Sequence, residues 1–303
     1  RVEARIAGVG AAVGTIGLSY LTRQDESQEA SFSVLAYPDA EVGPGGGGYF
    51  MVLGGVPDRA ESHERQKREV VIVMDRSGSM RGEKIKQAQA AAVQVVEGLL
   101  DGEAFNIIDY SDSVRSFAEK PVIKTAASLK EARVYIEGVR AEGGTNINDA
   151  LLEALRPVPT AGMLPLVIFL TDGLPTIGER NEVKLRNAVK AANGAGRRIF
   201  SFGVGYDVNT PLLTAIAAQS RAMSTFVLPA EDVEVKVSRV FRGLRGPVVE
   251  LPRLVVVGAD GAVTTRVIRD VQPAELPDFF EGDQILLVGQ YVGEAPVTLR
   301  IDG

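Results

Sequence analysis

Continuous apolar runs alternate with helix-period stretches through the middle of the chain. "EVVIVM" (69–74) is apolar after its first residue, the pattern of a strand buried on both faces. The following "GEKIKQAQAAAVQVVEGLL" places Ile85, Ala88, Ala92, Val95, Val96 and Leu99 on one helical face. "AFNIIDY" (104–110) and "SVRSF" (113–117) predict the next strands, and "SLKEARVYIEGV" (128–139) and "NINDALLEAL" (146–155) the next helices. "PLVIFLT" (165–171) is a second buried strand. A helix near 180–193, the strand "RRIFSFGV" (197–204), a helix near 210–219, the strand "STFVL" (224–228) and a helix near 231–244 complete the series. This rhythm predicts an α/β domain over 69–245, doubly wound around a mostly parallel sheet.

The flanks have another texture. "TIGLSYL", "ASFSVLAY" and "GYFMVLGG" precede the α/β region, and "ELPRLVVVG", "VTTRVIRD", "DQILLVGQY" and "PVTLRID" follow it; none has a helical period. Each flank is small for a β-domain, but together, at roughly 125 residues, they are the size of one β-sandwich. The expectation is a discontinuous sandwich, built from 1–68 and 246–303, into which the α/β domain is inserted. "GPGGGG" (43–48) reads as a flexible loop between two of its strands. "DRAESHERQKRE" (58–69) carries as many acids as bases and reads as a solvated linker.

Composition narrows the chemistry. At 303 residues, 45% hydrophobic, the chain can bury a large core. A net charge of −6 without a basic stripe argues against nucleic acid as a partner. No apolar run approaches the roughly 18 residues of a membrane span. With no cysteine and one histidine, His63 in the charged linker, thiolate and histidine-rich zinc chemistry are excluded. Carboxylates, hydroxyls and lysines remain.

Those groups gather at strand ends. "VIVMDRSGSM" (71–80) closes its apolar run with Asp75, Ser77 and Ser79, which taken alone could be a turn and helix cap, a nucleophile, or part of a metal site. "EGGTNIND" (142–149) leads through a glycine turn to Thr145, and "FLTDG" (169–173) ends the second long strand in Asp172. Open α/β sheets bind ligands at the carboxyl ends of their strands. Two carboxylates with three hydroxyls form an all-oxygen set, suited to a hard cation: Mg²⁺ first, with Mn²⁺ or Ca²⁺ as alternatives. So few charged ligands leave the ion ready to accept an outside carboxylate. Asp109 and Asp112 read as solvated surface residues. Lys84 lies too far into the following helix to act as a P-loop lysine, and neither a general base nor a second metal cluster is evident, so no enzyme is expected.

"DRSGS…GGTN…TDG" resembles the metal-ion-dependent adhesion site of von Willebrand factor type A domains. The surrounding "FNIIDYSDSV", "FLTDGLPTIGE" and "RRIFSFGVGYDVNTPLL", with the later "LPDFFEGDQILLVGQY", are similar to bacterial relatives of inter-α-trypsin inhibitor heavy chains. The resemblance implies that Ser77, Ser79 and Thr145 ligate the ion by hydroxyl oxygen, with Asp75 and Asp172 direct or through water. It implies a divalent-cation-dependent binding module, exported from the cell, whose partner is a protein presenting Asp or Glu. Glu179, Arg180, Tyr206 and Asp207 are candidates for the rim that selects the partner. The alternatives are a structural or assembly module with a merely stabilising ion and, more remotely, a metal-dependent hydrolase.

Overall fold

The computed structural model of the chain describes residues 2–6, 31–39, 41, 46–56, 66–258, 260–293, 295 and 297–303. "TIGLSYL" and His63 lie outside them. The chain divides into two compact units, Glu64–Gly246, and Arg1–His63 together with Pro247–Gly303. The second begins with β1 (Val2–Ile6), β2 (Ser31–Pro38) and β3 (Gly47–Gly55).

In the Glu64–Gly246 unit the order is β4 (Arg68–Asp75), α1 (Glu83–Glu97), β5 (Ala104–Tyr110), β6 (Val114–Ser116), β7 (Val122–Ile123), α2 (Ala126–Gly138) and α3 (Ile147–Leu155). Then come β8 (Leu164–Thr171), α4 (Glu182–Ala192), β9 (Arg198–Val204), α5 (Thr210–Gln219), β10 (Ser224–Val227) and α6 (Val233–Gly243). The sheet runs β10-β9-β8-β4-β5-β6, with β7 also on β5. Strands β10, β9, β8, β4 and β5 are parallel, and β6 and β7 are antiparallel.

Strand β4 is buried from end to end because β5 and β8 flank it and helices cover the sheet, which is why its sequence does not alternate. On one face Val71, Val73, Val167 and Phe169 pack with Leu151 of α3, Leu185 of α4 and Ile216 of α5. The alternate residues of β4 turn to the other face, where α1 packs with α2 and α6. Asn146, Asn181 and Asn209 start α3, α4 and α5 by accepting from the backbone N–H of Asp149, Lys184 and Leu212. The chain leaves β4 for β5 on one side and returns as β8 on the other. The crevice at the carboxyl ends of β4 and β8 is therefore the switch point at which such sheets bind ligands.

The segment 58–69 is not solvated to its end: Arg68 and Glu69 are buried. Arg68 Nε donates to Glu103 Oε1 at 2.8 Å and Nη2 to Oε2 at 2.9 Å, and its guanidinium lies 4.3 Å from the Phe241 ring centroid. Glu69 pairs with Arg197 at 2.7 Å, both side chains fully buried, and accepts from the backbone and hydroxyl of Thr160. These charges enter the interior because each meets its opposite with hydrogen bonds besides.

The flanking unit continues with β11 (Arg253–Val257), β12 (Ile268–Gln272), β13 (Gln284–Val292) and β14 (Val297–Asp302). It holds two antiparallel sheets, β1-β14-β11 and β12-β13-β3-β2. Phe50 and Val52 of β3, Ile285 and Leu287 of β13, Val256 of β11 and Leu299 of β14 share one hydrophobic cluster. Gly47 and Gly48, expected in a loop, instead open β3, because pairing with β13 extends to both and pairing with β2 to Gly48. Strand β1 was not anticipated: "VEARI" alternates charged with apolar residues over only five positions, and its pairing to β14 comes from the far end of the chain.

Asp283, in the turn before β13, accepts from the Phe280 N–H at 2.8 Å, and burial raises its pKa from 3.8 to about 6. The folded form thus holds a proton that the unfolded form has lost, and stability falls as pH rises from about 4 to about 6. Asp283→Asn should raise the unfolding free energy near neutral pH by about 1–2 kcal/mol, after discounting for solvent screening, and change little below about pH 4. Urea titrations across that range check it; an equal gain at both ends would show that the charge is not the cause.

Candidate metal centre

Asp75 is the last residue of β4, with its carboxylate buried. Its Oδ1 accepts from the Ser77 N–H at 2.7 Å, and its Oδ2 from Thr171 Oγ1 at 2.7 Å and the Tyr110 hydroxyl at 3.2 Å. Strand register supplies both hydroxyls. Tyr110 pairs with Asp75 across β5, and Thr171 stands one residue beyond the Met74–Leu170 pair on β8. Burial pushes the Asp75 carboxyl above its usual range; hydrogen bonds from Ser77 and Thr171 oppose this, and the negative charge of Asp172 adds to it.

Beyond Asp75 the chain turns through a short 3₁₀ segment, Gly78–Met80. Ser77 Oγ lies 3.0 Å from Ser79 Oγ, and Ser79 Oγ donates to Asp172 Oδ1 at 2.7 Å. The other oxygen of Asp172 accepts from Lys84 Nζ at 2.6 Å. Asp75, Ser77, Ser79 and Asp172 thus form one hydrogen-bonded cluster at the switch point.

Thr145 comes to the same crevice through its backbone. Its N–H donates to Thr176 Oγ1 at 2.8 Å, and its carbonyl accepts from the N–H groups of Thr176 and Ile177 at 3.0 and 3.2 Å. On the other side, Gly78 N–H donates to Gly143 O at 2.9 Å and Glu142 N–H to Arg76 O at 2.8 Å. The loop carrying Thr145 is clamped between the loops carrying the serines and Asp172. Glycine is required in it: Gly143 has φ +76°, and a Cβ on Gly144 would stand 2.7 Å from Ile177 Cγ1.

Asp109 is not a solvated surface residue. It is fully buried, and its Oδ1 accepts from Arg76 Nε at 2.6 Å and from Arg115 Nη2 at 2.7 Å, while Oδ2 accepts from the Tyr135 hydroxyl at 2.6 Å. Arg76 is the residue between Asp75 and Ser77, so this pair anchors the serine loop from behind. Asp112 stays exposed and accepts from Gly144 N–H at 2.6 Å. Sequence reasoning also missed Tyr110 and Thr171, and it set Lys84 aside as too far along the helix, whereas Lys84 reaches Asp172. The first two become visible only through strand register. For Lys84 a signal existed, because a cation in the first turn of a helix opposes the helix dipole and calls for a counter-charge.

The donor set fits a hard cation: oxygens only, two of them carboxylates, in a crevice of fixed loops. Among the described residues no three His, Cys, Asp or Glu side chains cluster, so any cation here must rely on hydroxyls. Of the rim candidates, Glu179 and Arg180 lie beyond the end of β8 and Tyr206 and Asp207 beyond the end of β9. Glu179 accepts from the Asn181 N–H ahead of α4, while Tyr206 is 81% exposed. A cavity of about 450 Å³ lined by Arg68, Gln94, Phe241 and Arg242 lies at the opposite, amino-terminal end of β4 and is separate from this crevice.

A family model described as the von Willebrand factor type A domain matches residues 69–242. The chain is similar to inter-alpha-trypsin inhibitor heavy chain H4 of Bos taurus, with 27% identity over 292 residues, covering 92% of this chain and 31% of that protein. It is also similar to heavy chain H2 of Sus scrofa, with 29% identity over 239 residues, 76% of this chain and 25% of that one. The chain therefore spans a third or less of the length of these curated relatives. Among solved structures, a von Willebrand factor type A protein from Catenulispora acidiphila superposes with a TM-score of 0.62 at 18% identity, over 94% of this chain and 74% of that chain, a likeness of fold.

Removing Asp109 leaves the buried Arg76 guanidinium with only the exposed Glu142 carboxylate at 3.1 Å. Breaking one side of a buried ion pair costs about 3–5 kcal/mol. Asp109→Ala should destabilise the chain by that order in urea unfolding, whereas Asp112→Ala should cost under about 1 kcal/mol. Equal costs would refute the assignment of Asp109 as the anchor.

Proposed function

The chain belongs to the von Willebrand factor type A domain family, and on that premise we propose that it is a divalent-cation-dependent protein-binding module. Asp75, Ser77, Ser79, Thr145 and Asp172 would hold the ion, with Mg²⁺ preferred and Mn²⁺ or Ca²⁺ as alternatives. When bound, the cation supplies a Lewis-acidic position that a carboxylate from a protein partner completes. The observation that carries this reading is the run of oxygens Ser77–Ser79–Asp172 at the switch point of the sheet.

This chain's own residues do the preparatory work. Thr171 and Tyr110 hold Asp75 by one oxygen, and the Ser77 N–H holds it by the other. Ser77 and Ser79 present their hydroxyls from a loop fixed by Arg76 and Asp109. Glu179, Arg180, Tyr206 and Asp207 are assigned to partner selection, with exposed Tyr206 the strongest contact candidate.

The three loops are already joined by hydrogen bonds of their own, Gly78 to Gly143 and Thr145 to Thr176. A cation is not needed to tie them, which favours a binding role over a merely stabilising one. No catalytic step is assigned. The proposal includes an extracellular setting, as the resemblance of the sequence to an adhesion site implies; no helix among the described residues is long and apolar enough to cross a membrane.

Thermal melting in chelator and in excess Mg²⁺, Mn²⁺ or Ca²⁺ tests the site. An ion at about 100 times its dissociation constant should add about 2.7 kcal/mol to the wild type and nothing to Asp172→Ala. A capped peptide containing one glutamate should then bind the Mg²⁺-loaded protein, but not the chelated protein, and its glutamine counterpart should not bind. Metal-independent binding of both peptides would overturn the mechanism.

A further inference from the structure

We propose that Lys84 is a tethered cation that holds the place of the divalent ion and sets the affinity of the site for it. The inference rests on the metal-binding reading above and specifies how that site is tuned.

Lys84 lies in the first turn of α1, two residues beyond the helix N-cap Gly82. A positive charge there faces the positive end of the helix dipole, so the helix itself gives no reason for a lysine at this position. The reason is across the crevice. Its Nζ donates to Asp172 Oδ2 at 2.6 Å, and the Asp172 side chain is 0% exposed while the lysine is 38% exposed. The ammonium thus reaches in from the solvent edge and neutralises the carboxylate that also accepts from Ser79.

The local charge count makes this significant. Asp75 and Asp172 are two carboxylates buried in one cluster, and like charges held close together repel. Among the described residues, Asp75 is held by hydroxyls and a backbone N–H, none of them cationic, so Lys84 is the cation facing the pair. A divalent ion drawing on Asp172 must displace the ammonium or accept its repulsion at close range. Either way part of the binding free energy goes into releasing Lys84. The exposed stem gives the displaced ammonium a route to water. The metal-free protein is thereby kept stable, and the affinity is held below what the oxygen set alone would give.

The test is calorimetric titration of Mg²⁺ and Mn²⁺ into the wild type, Lys84→Met, Lys84→Arg and Asp172→Ala, with melting curves in chelator and in metal. Lys84→Met should bind the ions about tenfold more tightly. It should melt below the wild type in chelator and show a larger metal-induced rise, while Lys84→Arg stays close to the wild type. If Lys84→Met lowers the melting temperature equally with and without metal and leaves the affinity unchanged, the lysine is only a structural ion-pair partner and the inference fails. If the wild type binds metal and Asp172→Ala does not, that failure leaves the metal reading standing. If neither the wild type nor Lys84→Met binds, both readings fall together.

Discussion

The arrangement depends on keeping one carboxylate, Asp75, buried at the carboxyl end of the central strand. Removing a carboxylate from water is costly unless hydrogen bonds replace the lost hydration. Here three donors do so, from three successive positions around the crevice: the Ser77 N–H, Thr171 and Tyr110. The Ser77 N–H comes from the loop itself, but the two hydroxyls are available only because β4, β5 and β8 are parallel and in one register. The sheet therefore does more than support the loops. Its pairing is what makes the buried acid tolerable.

A second layer keeps the loops still without using the oxygens at the crevice. Arg76 turns away from its neighbours Asp75 and Ser77 to meet Asp109, while Arg115 and Tyr135 take up the remaining capacity of that carboxylate. The backbone of Thr145 is fixed by Thr176, and Gly143 and Gly144 let the loops approach closely. Apart from Lys84 on Asp172, structural charges and crevice oxygens are thus separate sets. Such separation is what a binding site needs if occupancy is to change without unfolding the scaffold.

At the other end of the same strand, Arg68 with Glu103 and Glu69 with Arg197 show how opposite charges are carried into the interior. Opposite charges entered the interior as ion pairs, although Arg197 Nε and Nη1 have no hydrogen-bond partner among the described residues, and the strand could begin inside the protein instead of at its surface. Clusters of ionisable residues at the two ends of β4 thus differ: one consists of buried ion pairs, and the other joins carboxylates to serine hydroxyls, with Ser79 exposed.

The sequence alone determined much of the α/β unit, because local periodicity is enough to tell a doubly buried strand from an amphipathic helix. It also brought Asp75, Ser77, Ser79 and Asp172 to attention, since residues just past buried strands must lie at one rim of a parallel sheet. It misread Asp109 and the Arg68–Glu69 pair as solvated, because a charge in isolation looks hydrophilic whether or not a partner distant in sequence awaits it. It overlooked β1, Tyr110, Thr171 and the reach of Lys84 for a related reason. Strand pairing from the far end of the chain, hydroxyls brought opposite a carboxylate by register, and an ammonium 88 residues away in sequence from the acid it neutralises are all set by three-dimensional neighbours. Periodicity is a property of the chain and can be read along it. Charge pairing is a property of the fold, and only the tertiary structure decides it.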